Sequence, residues 1–500
     1  MTDFDKYILY PFLGNIAKSA DRNAFCINGK FYTYREFGRA VSRIQLSVAE
    51  AGSNSRNVGL VINDDLETYA SIFALWLEGG SYVPLHPGWP PERCRDIAVQ
   101  SGMDLILDSS ERTRYDGNVL HTSSLPDTGE LPRYLCEHAS DDDLAYILFT
   151  SGSTGKPKGV QISRGNVGAF MHAFWQTGIK IDGDDRCLQC FDLTFDVSVQ
   201  SFLVPLTKGA CCYTIPHGQI KYIYASGLIE DHRLTFGAMA PSMIRFLRPY
   251  FDEIDMSSLK TCIFTAEASP LDLVEEWMKV APDAEIYDFY GPTEATIYCT
   301  YYKLSKTGAN KTLNGVVSIG KPMADVDAII VGPDDNIVPP GEKGELCVAG
   351  PQVTCGYLNN PQKNAEAFMF KDINGRRLRF YRTGDLCFRD ENGDIMYSGR
   401  LDHQAKIQGY RVEMGEIEFH AREFLGGTNV VCIAFENTGG LTEIAMFIES
   451  EESDTSALLD YMKSKMPHYM IPGRIYFEPT FPLNGNAKTD KVVLKSKIKI

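Results

Sequence analysis

Apolar residues along this chain fall in short runs that alternate with amphipathic stretches, the pattern produced when helices layer on sheets. Asn57–Ile62, Ala145–Phe149 and Thr261–Thr265 read as buried strands, each closing on polar or turn-forming residues. This texture holds to residue 398, but from about 310 it fragments. Short β-like pieces at Ala328–Val331, Glu345–Val348 and Asp394–Tyr397 are separated by GPDD, PPGEKG and ENGD turns, which predicts a β-rich subdomain. Past Asp402 the pattern changes again, with helices over Gly415–Phe424 and Thr455–Lys465 and a strand over Asn429–Phe435. The expected fold class is α/β. A large N-terminal domain (1–398) of layered α/β sheets would carry the β-rich subdomain over about 310–398, followed by a small α+β C-terminal domain (403–500). Five hundred residues exceed what one core sustains, so more than one packed unit is required.

Charge and composition then remove several function classes. A balance of 49 basic against 65 acidic residues leaves a formal charge of −16. A general nucleic-acid surface needs clustered positive charge, so no nucleic-acid partner is expected, and any phosphate site must be a local positive spot. The opening MTDFDKYILYPFLG lacks the basic start and apolar core of a signal peptide. No apolar run approaches the roughly 20 residues that span a bilayer. A cytoplasmic protein without membrane insertion is the expectation. The 13 cysteines show no framework spacing. The lone Cys187-x-x-Cys190 and the adjacent Cys211 and Cys212 lack a second ligand pair for zinc, and they read as small buried apolar side chains.

Candidate chemistry concentrates where Leu144–Phe149 passes into Thr150-Ser151-Gly152-Ser153-Thr154-Gly155-Lys156-Pro157-Lys158-Gly159. Glycines let backbone N–H groups approach phosphate oxygens, hydroxyls add donors, and the lysines supply charge. A strand feeding such a loop predicts a phosphate site rather than a plain surface loop. It is not a Walker loop, because Thr150 stands where that motif has Gly and Pro157 where it has Ser or Thr.

The loop resembles the signature of adenylate-forming enzymes: acyl-CoA synthetases, luciferases and the amino-acid adenylation domains of non-ribosomal peptide synthetases. Segments similar to that family's other motifs follow in order across nearly the whole chain. They are Thr33–Phe37, Gly80–Leu85, Tyr290-Gly-Pro-Thr-Glu294, Gly344-Glu-Leu346 with Gly356-Tyr357, Tyr381-Arg-Thr-Gly-Asp385, Gly399-Arg-Leu-Asp402 with Lys406–Gly409, Met466–Pro472 and Asn486-Ala-Lys488. The resemblance implies ATP with Mg²⁺. Thr150, Ser151, Gly152, Ser153, Thr154, Gly155, Lys156 and Lys158 would hold phosphates, and Asp288, Phe289, Tyr290, Gly291 and Thr293 would surround the nucleotide. Tyr290 offers a ring to adenine, and Glu294 is a hard oxygen ligand for Mg²⁺. Asp385 would accept from ribose hydroxyls, with Arg400 beside ribose or phosphate. The implied catalytic residues are Lys488, Glu294 and Thr150. A lysine reaching both the substrate carboxylate and the phosphoryl oxygens stabilises charge where it develops. The family's Asn-Gly-Lys reads Asn486-Ala487-Lys488 here, and Ala replaces Gly freely only where φ is negative.

In the amino-acid-activating branch, the aspartate of a Phe-Asp-x-Ser segment pairs with the substrate's α-ammonium. Asp196 in Phe195–Ser198 takes that place, whereas Asp192 reads as a capping residue. Motif alignment lines the pocket with Val197, Gln200, Ala238, Ile263, Thr265, Phe289, Ile297 and Tyr298, and brings Lys488 to the carboxylate. Phe289 and Tyr298 are bulky, which leaves room for a small amino acid. Val160–Ser163, Gly399–Asp402 and Gly409–Glu413 are similar to the ligases that load D-alanine on carrier proteins, which makes D-alanine the leading candidate. Thr265 and Phe289 depart from that pattern where handedness and size are sensed, and a substrate hydroxyl would suit Thr265, Gln200 or Tyr298 equally well. Leu425-Gly426-Gly427 lacks the serine that bears phosphopantetheine, so the acceptor thiol is expected on a separate carrier protein. The resemblance further implies a mobile C-terminal domain turning about Asp402 within a hinge at 399–402, which exchanges Lys488 for the Lys406–Gly409 strand. Other readings are an acyl- or aryl-CoA synthetase, in which Asp196 would be dispensable, and a stand-alone peptide-synthetase enzyme for another small or polar amino acid. A non-catalytic nucleotide-binding scaffold is the third, and the presence of Lys488, Glu294 and Asp385 argues against it.

Overall fold

The computed structural model describes residues 1–53, 55–133, 139–152, 156–401, 404–482 and 489–499. Packing divides the chain into two compact units. The first comprises Met1–Pro87, Gln100–Leu148 and Gly159–Leu401, and the second Gly88–Val99, Phe149–Lys158 and Asp402–Ile500. The second unit thus takes in two segments whose sequence pattern belongs with the N-terminal α/β texture.

Two large sheets build the first unit. In the nine-stranded sheet Glu285–Tyr290, Thr261–Thr265, Phe236–Met239, Arg186–Gln189, Cys211–Thr214 and Asn23–Ile27 run side by side in parallel. Thr261–Thr265 is buried at every position, the mark of a parallel strand covered on both faces, and this explains its unbroken apolar run. The seven-stranded sheet places Leu144–Thr150 between Lys158–Ser163 and Ser81–Leu85. Helices Leu66–Leu77 and Asp196–Lys208 are buried along their whole length except at Glu67 and Lys208. A helix apolar all round must be enclosed, and these two join the sheets in one core. The Trp76 ring meets Tyr82 of the seven-stranded sheet at 6.0 Å and Phe202 at 6.3 Å.

The fragmented region forms a five-stranded antiparallel sheet of Asp327–Val331, Gly344–Ala349, Arg376–Arg389, Phe368–Ile373 and Ile395–Arg400. In the second unit Gln404–Ile407 pairs with Tyr410–Glu413, and Val430–Glu436 and Thr442–Ile448 form a sheet with Arg474–Phe477. Helices Met414–Phe424 and Ser456–Lys465 pack their apolar stripes, Ile417 with Ala421 and Leu458 with Met462, into one core. The expected elements differ from the observed ones by at most three residues at an end, and Thr261–Thr265 coincides. Among the described residues every cysteine is free, all but Cys355 are buried, and no cluster of metal-ligating side chains occurs. No described helix is long and apolar enough to cross a membrane.

Candidate active site

Parallel strands deliver the candidate pocket residues at their C-terminal ends, where open α/β sheets place ligands. Ala238 is the lateral neighbour of Ile263, and Thr265 that of Phe289. Phe289 stacks on Tyr301 at 5.5 Å and also meets Tyr298 at 5.0 Å and Phe174 at 6.0 Å, closing that side with aromatic rings. Gly291 follows the strand because a Cβ there would stand 2.4 Å from the Ile297 carbonyl oxygen. Thr296 and Ile297 both adopt positive φ, 55° and 73°. For a β-branched residue that conformation is strained and persists only when its surroundings enforce it.

Asp196 opens the Asp196–Lys208 helix, preceded by Phe195, which offers no side-chain cap. Only 7% of Asp196 is exposed, and among the described residues its Oδ2 has no hydrogen-bond partner. Burial pushes its carboxyl up to about 6, reinforced by the Glu294 charge and opposed by the Thr293 hydroxyl. Asp192, expected as a capping residue, does not cap the helix, whose N-cap is Phe195; it closes a turn instead, accepting from the Thr194 N–H and hydroxyl and pairing with His86 at 3.0 Å. One helical turn beyond Asp196, Gln200 is fully buried, and its Oε1 accepts from the Tyr298 hydroxyl at 3.4 Å. Val197, Ile263, Ile297 and Thr265 are buried as well.

Asp385 joins Tyr290 and Arg400. It faces Arg400 across neighbouring strands, its Oδ1 accepts from the Arg400 guanidinium at 2.9 Å, and its Oδ2 accepts from the Tyr290 hydroxyl at 2.5 Å. Burial, with the Asp385 charge, pushes the Tyr290 hydroxyl up, so it stays a donor. Thr293 and Glu294 form a single turn after Pro292. Glu294 is fully buried, and its Oε1 accepts from the Tyr357 hydroxyl at 2.6 Å. Asp288 is buried in the strand leading to Tyr290.

In the second unit, the glycine- and hydroxyl-rich loop has carboxylates on two of its donors. Gly152 N–H donates to Glu416 Oε2 at 2.8 Å, and Lys158 Nζ to Glu413 Oε1 at 2.9 Å. Ser151 donates to the Arg411 carbonyl and accepts from the Glu413 N–H. Arg93, itself buried, donates to the other oxygen of Glu416 at 2.7 Å. Thr150 ends the strand that enters the loop, and Lys156 is exposed. A Cβ on Gly152 would strike the Lys156 carbonyl oxygen, which requires Gly there. Ser153, Thr154, Gly155, Asp402 and Lys488 lie outside the described residues. Sequence reasoning missed Arg93, Glu413, Glu416, Tyr357 and His86. The Gly409–Glu413 and Gly356-Tyr357 segments carried a signal, and in both it was a likeness without a role.

A family model for AMP-binding enzymes matches residues 12–358. This chain belongs to that family. Among curated relatives, the AMP-binding enzyme is 30% identical over 486 residues to tyrocidine synthase 1 of Brevibacillus parabrevis, covering 95% of this chain and 43% of that protein. It is 30% identical over 506 residues to gramicidin S synthase 2 of Brevibacillus brevis, covering 98% and 11%. The chain therefore spans less than half the length of these relatives. Its structure is similar to that of the Vibrio cholerae adenylation domain AlmE in complex with glycyl-adenosine-5'-phosphate, with a TM-score of 0.86, 25% identity and coverage of 98% and 97%. Holo-PA1221, a protein containing adenylation and carrier domains, shares the fold at a TM-score of 0.86 and 21% identity over 98% of this chain and 84% of that one.

Proposed function

We propose that this AMP-binding enzyme activates a small amino acid as its aminoacyl-adenylate and passes the aminoacyl group to the phosphopantetheine thiol of a separate carrier protein in the cytoplasm. The observation that carries the reading is Asp196, a buried carboxylate with an unsatisfied oxygen. A buried carboxylate calls for a cation, and the α-ammonium of an amino acid supplies one. An acyl-CoA synthetase has no such cation to offer. The aromatic wall of Phe289, Tyr298 and Tyr301 supports a small side chain, D-alanine being the candidate placed first by sequence. The glycyl-adenylate held by AlmE is a small member of the same substrate class.

In this reading a substrate carboxylate oxygen attacks the α-phosphorus of ATP, and the bond to pyrophosphate breaks. Asp385 and Arg400 orient the ribose, while Thr150, Ser151, Gly152 and Lys158 bind phosphate oxygens once Glu416 leaves Gly152 and Glu413 leaves Lys158. Lys488 would stabilise the charge that develops on the carboxylate and phosphoryl oxygens. The buried Glu294 carboxylate is a hard oxygen donor of the kind that Mg²⁺ combines with substrate phosphates. When bound, that ion neutralises phosphate charge. In the second half-reaction a thiolate attacks the carbonyl of the mixed anhydride and AMP leaves. Rotation about Asp402, with Lys406 replacing Lys488, would open the site to the thiol.

ATP–pyrophosphate exchange with L- and D-amino acids tests the reading, with small amino acids expected to lead. Lys488→Ala should abolish exchange, and Lys406→Ala should mainly slow thioester formation on an added carrier. Exchange supported only by carboxylic acids lacking an amine would refute it.

A further inference from the structure

Two buried polar side chains on one face of the Asp196–Lys208 helix each keep an idle atom. Asp196 Oδ2 is an acceptor without a donor, and Gln200 Nε2 is a donor without an acceptor among the described residues. Residues four apart lie one above the other on a helix, their Cβ atoms roughly 5–6 Å apart. The opposite end of the Gln200 amide is already used, because its Oε1 accepts from the Tyr298 hydroxyl. The Thr265 hydroxyl, in turn, is engaged with Tyr298. Val197, Ala238, Ile263, Ile297 and Phe289 bring no side-chain acceptor. Buried donors in native interiors are paired, so this one is left for a partner beyond the described residues, a role that a bound substrate can fill.

We infer that the amino acid activated here carries a hydroxyl on its β-carbon that accepts from Gln200 Nε2, which ranks serine- and threonine-type substrates ahead of alanine and glycine. The inference rests on the ammonium reading of Asp196. A β-oxygen is three bonds from the amino nitrogen, so a substrate anchored on Asp196 reaches one helical turn further with that atom. An acidic side chain would place a second anion near Asp196 and Glu294 in a buried setting, which is unfavourable. Longer amide side chains would run against Phe289, itself held by Tyr298 and Tyr301.

The test is pyrophosphate exchange by the full chain with glycine, alanine, serine and threonine, each chiral substrate in both hands. The best hydroxylated substrate is expected to exceed alanine of the same hand in kcat/KM by at least about tenfold. Gln200→Met, close in size but without N–H donors, should reduce the serine-to-alanine ratio by a similar factor. Wild-type preference for alanine or glycine over every hydroxylated substrate overturns the inference and leaves amino-acid adenylation standing, and so does an unchanged ratio in a folded Gln200→Met variant. Absence of exchange with any amino acid overturns both. The wild-type comparison decides whether or not the variant folds.

Discussion

Replacing Asp196 by Asn keeps the shape of the side chain and removes its charge, with consequences for stability that can be worked out. Burial holds the Asp196 carboxyl at about 6 in the free protein, against about 3.9 in an unfolded chain. The folded state therefore binds the proton more tightly, and ionisation of Asp196 opposes folding. That penalty is absent below the unfolded value, grows between about 4 and 6, and is complete above that window. Two pKa units correspond to roughly 3 kcal/mol. Asp196→Asn should therefore stabilise the ligand-free protein by about 3 kcal/mol at pH 8, but by only about 1 kcal/mol near pH 4.5. Calorimetric melting at the two pH values reads the difference as a rise of several degrees at pH 8 and little at the acid end. A saturating amino-acid substrate should raise the melting temperature of the wild type and not of the variant, and the variant should lose exchange by about a hundredfold or more. A variant less stable than the wild type at pH 8 would refute the reasoning, because donors within the fold, the Thr293 hydroxyl and the Val197 and Ile297 N–H groups among them, would then outweigh the cost of burying the charge.

Asp385→Ala removes the shared acceptor of Tyr290 and Arg400. Charged hydrogen bonds of this kind contribute about 1.5–3 kcal/mol, so KM for ATP should rise by about 10- to 100-fold while KM for the amino acid changes little in the exchange assay. Arg93→Met or Glu416→Leu alone strands a buried charge, and chemical denaturation should show a loss of about 3–5 kcal/mol. The two changes together should recover most of that loss, short of the hydrogen bond that Glu416 makes with Gly152 N–H.

The layered α/β core was legible because its strands are uninterrupted apolar runs. The β-rich subdomain announced itself through turn residues at short spacing, as in PPGEKG before Gly344–Ala349. Asp196 was singled out for a different reason, its likeness to the Phe-Asp-x-Ser segment, because Asp192 is an equal charge in the same stretch. Arg93 and Glu416 were not, since their partnership spans 323 positions and each sits in a helical stretch where charged residues ordinarily face water. Idle atoms are invisible in principle to sequence reading. That Gln200 has one satisfied end and one unsatisfied end depends on where Tyr298, 98 residues later, places its hydroxyl. The Asp192–His86 pair likewise depends on two strand ends converging.

The carboxylates resting on Gly152 and Lys158 make the loop choosy about what displaces them. A weak monoanion such as acetate or chloride offers these donors nothing that Glu413 and Glu416 do not already give, so ordinary cellular salts should leave the loop as it is. A polyphosphate concentrates several charges on adjacent oxygens and can outcompete two tethered glutamates at once. Swapping one anion for another within the same cradle also keeps the lysine neutralised throughout, which matters in a protein whose overall charge repels such ligands.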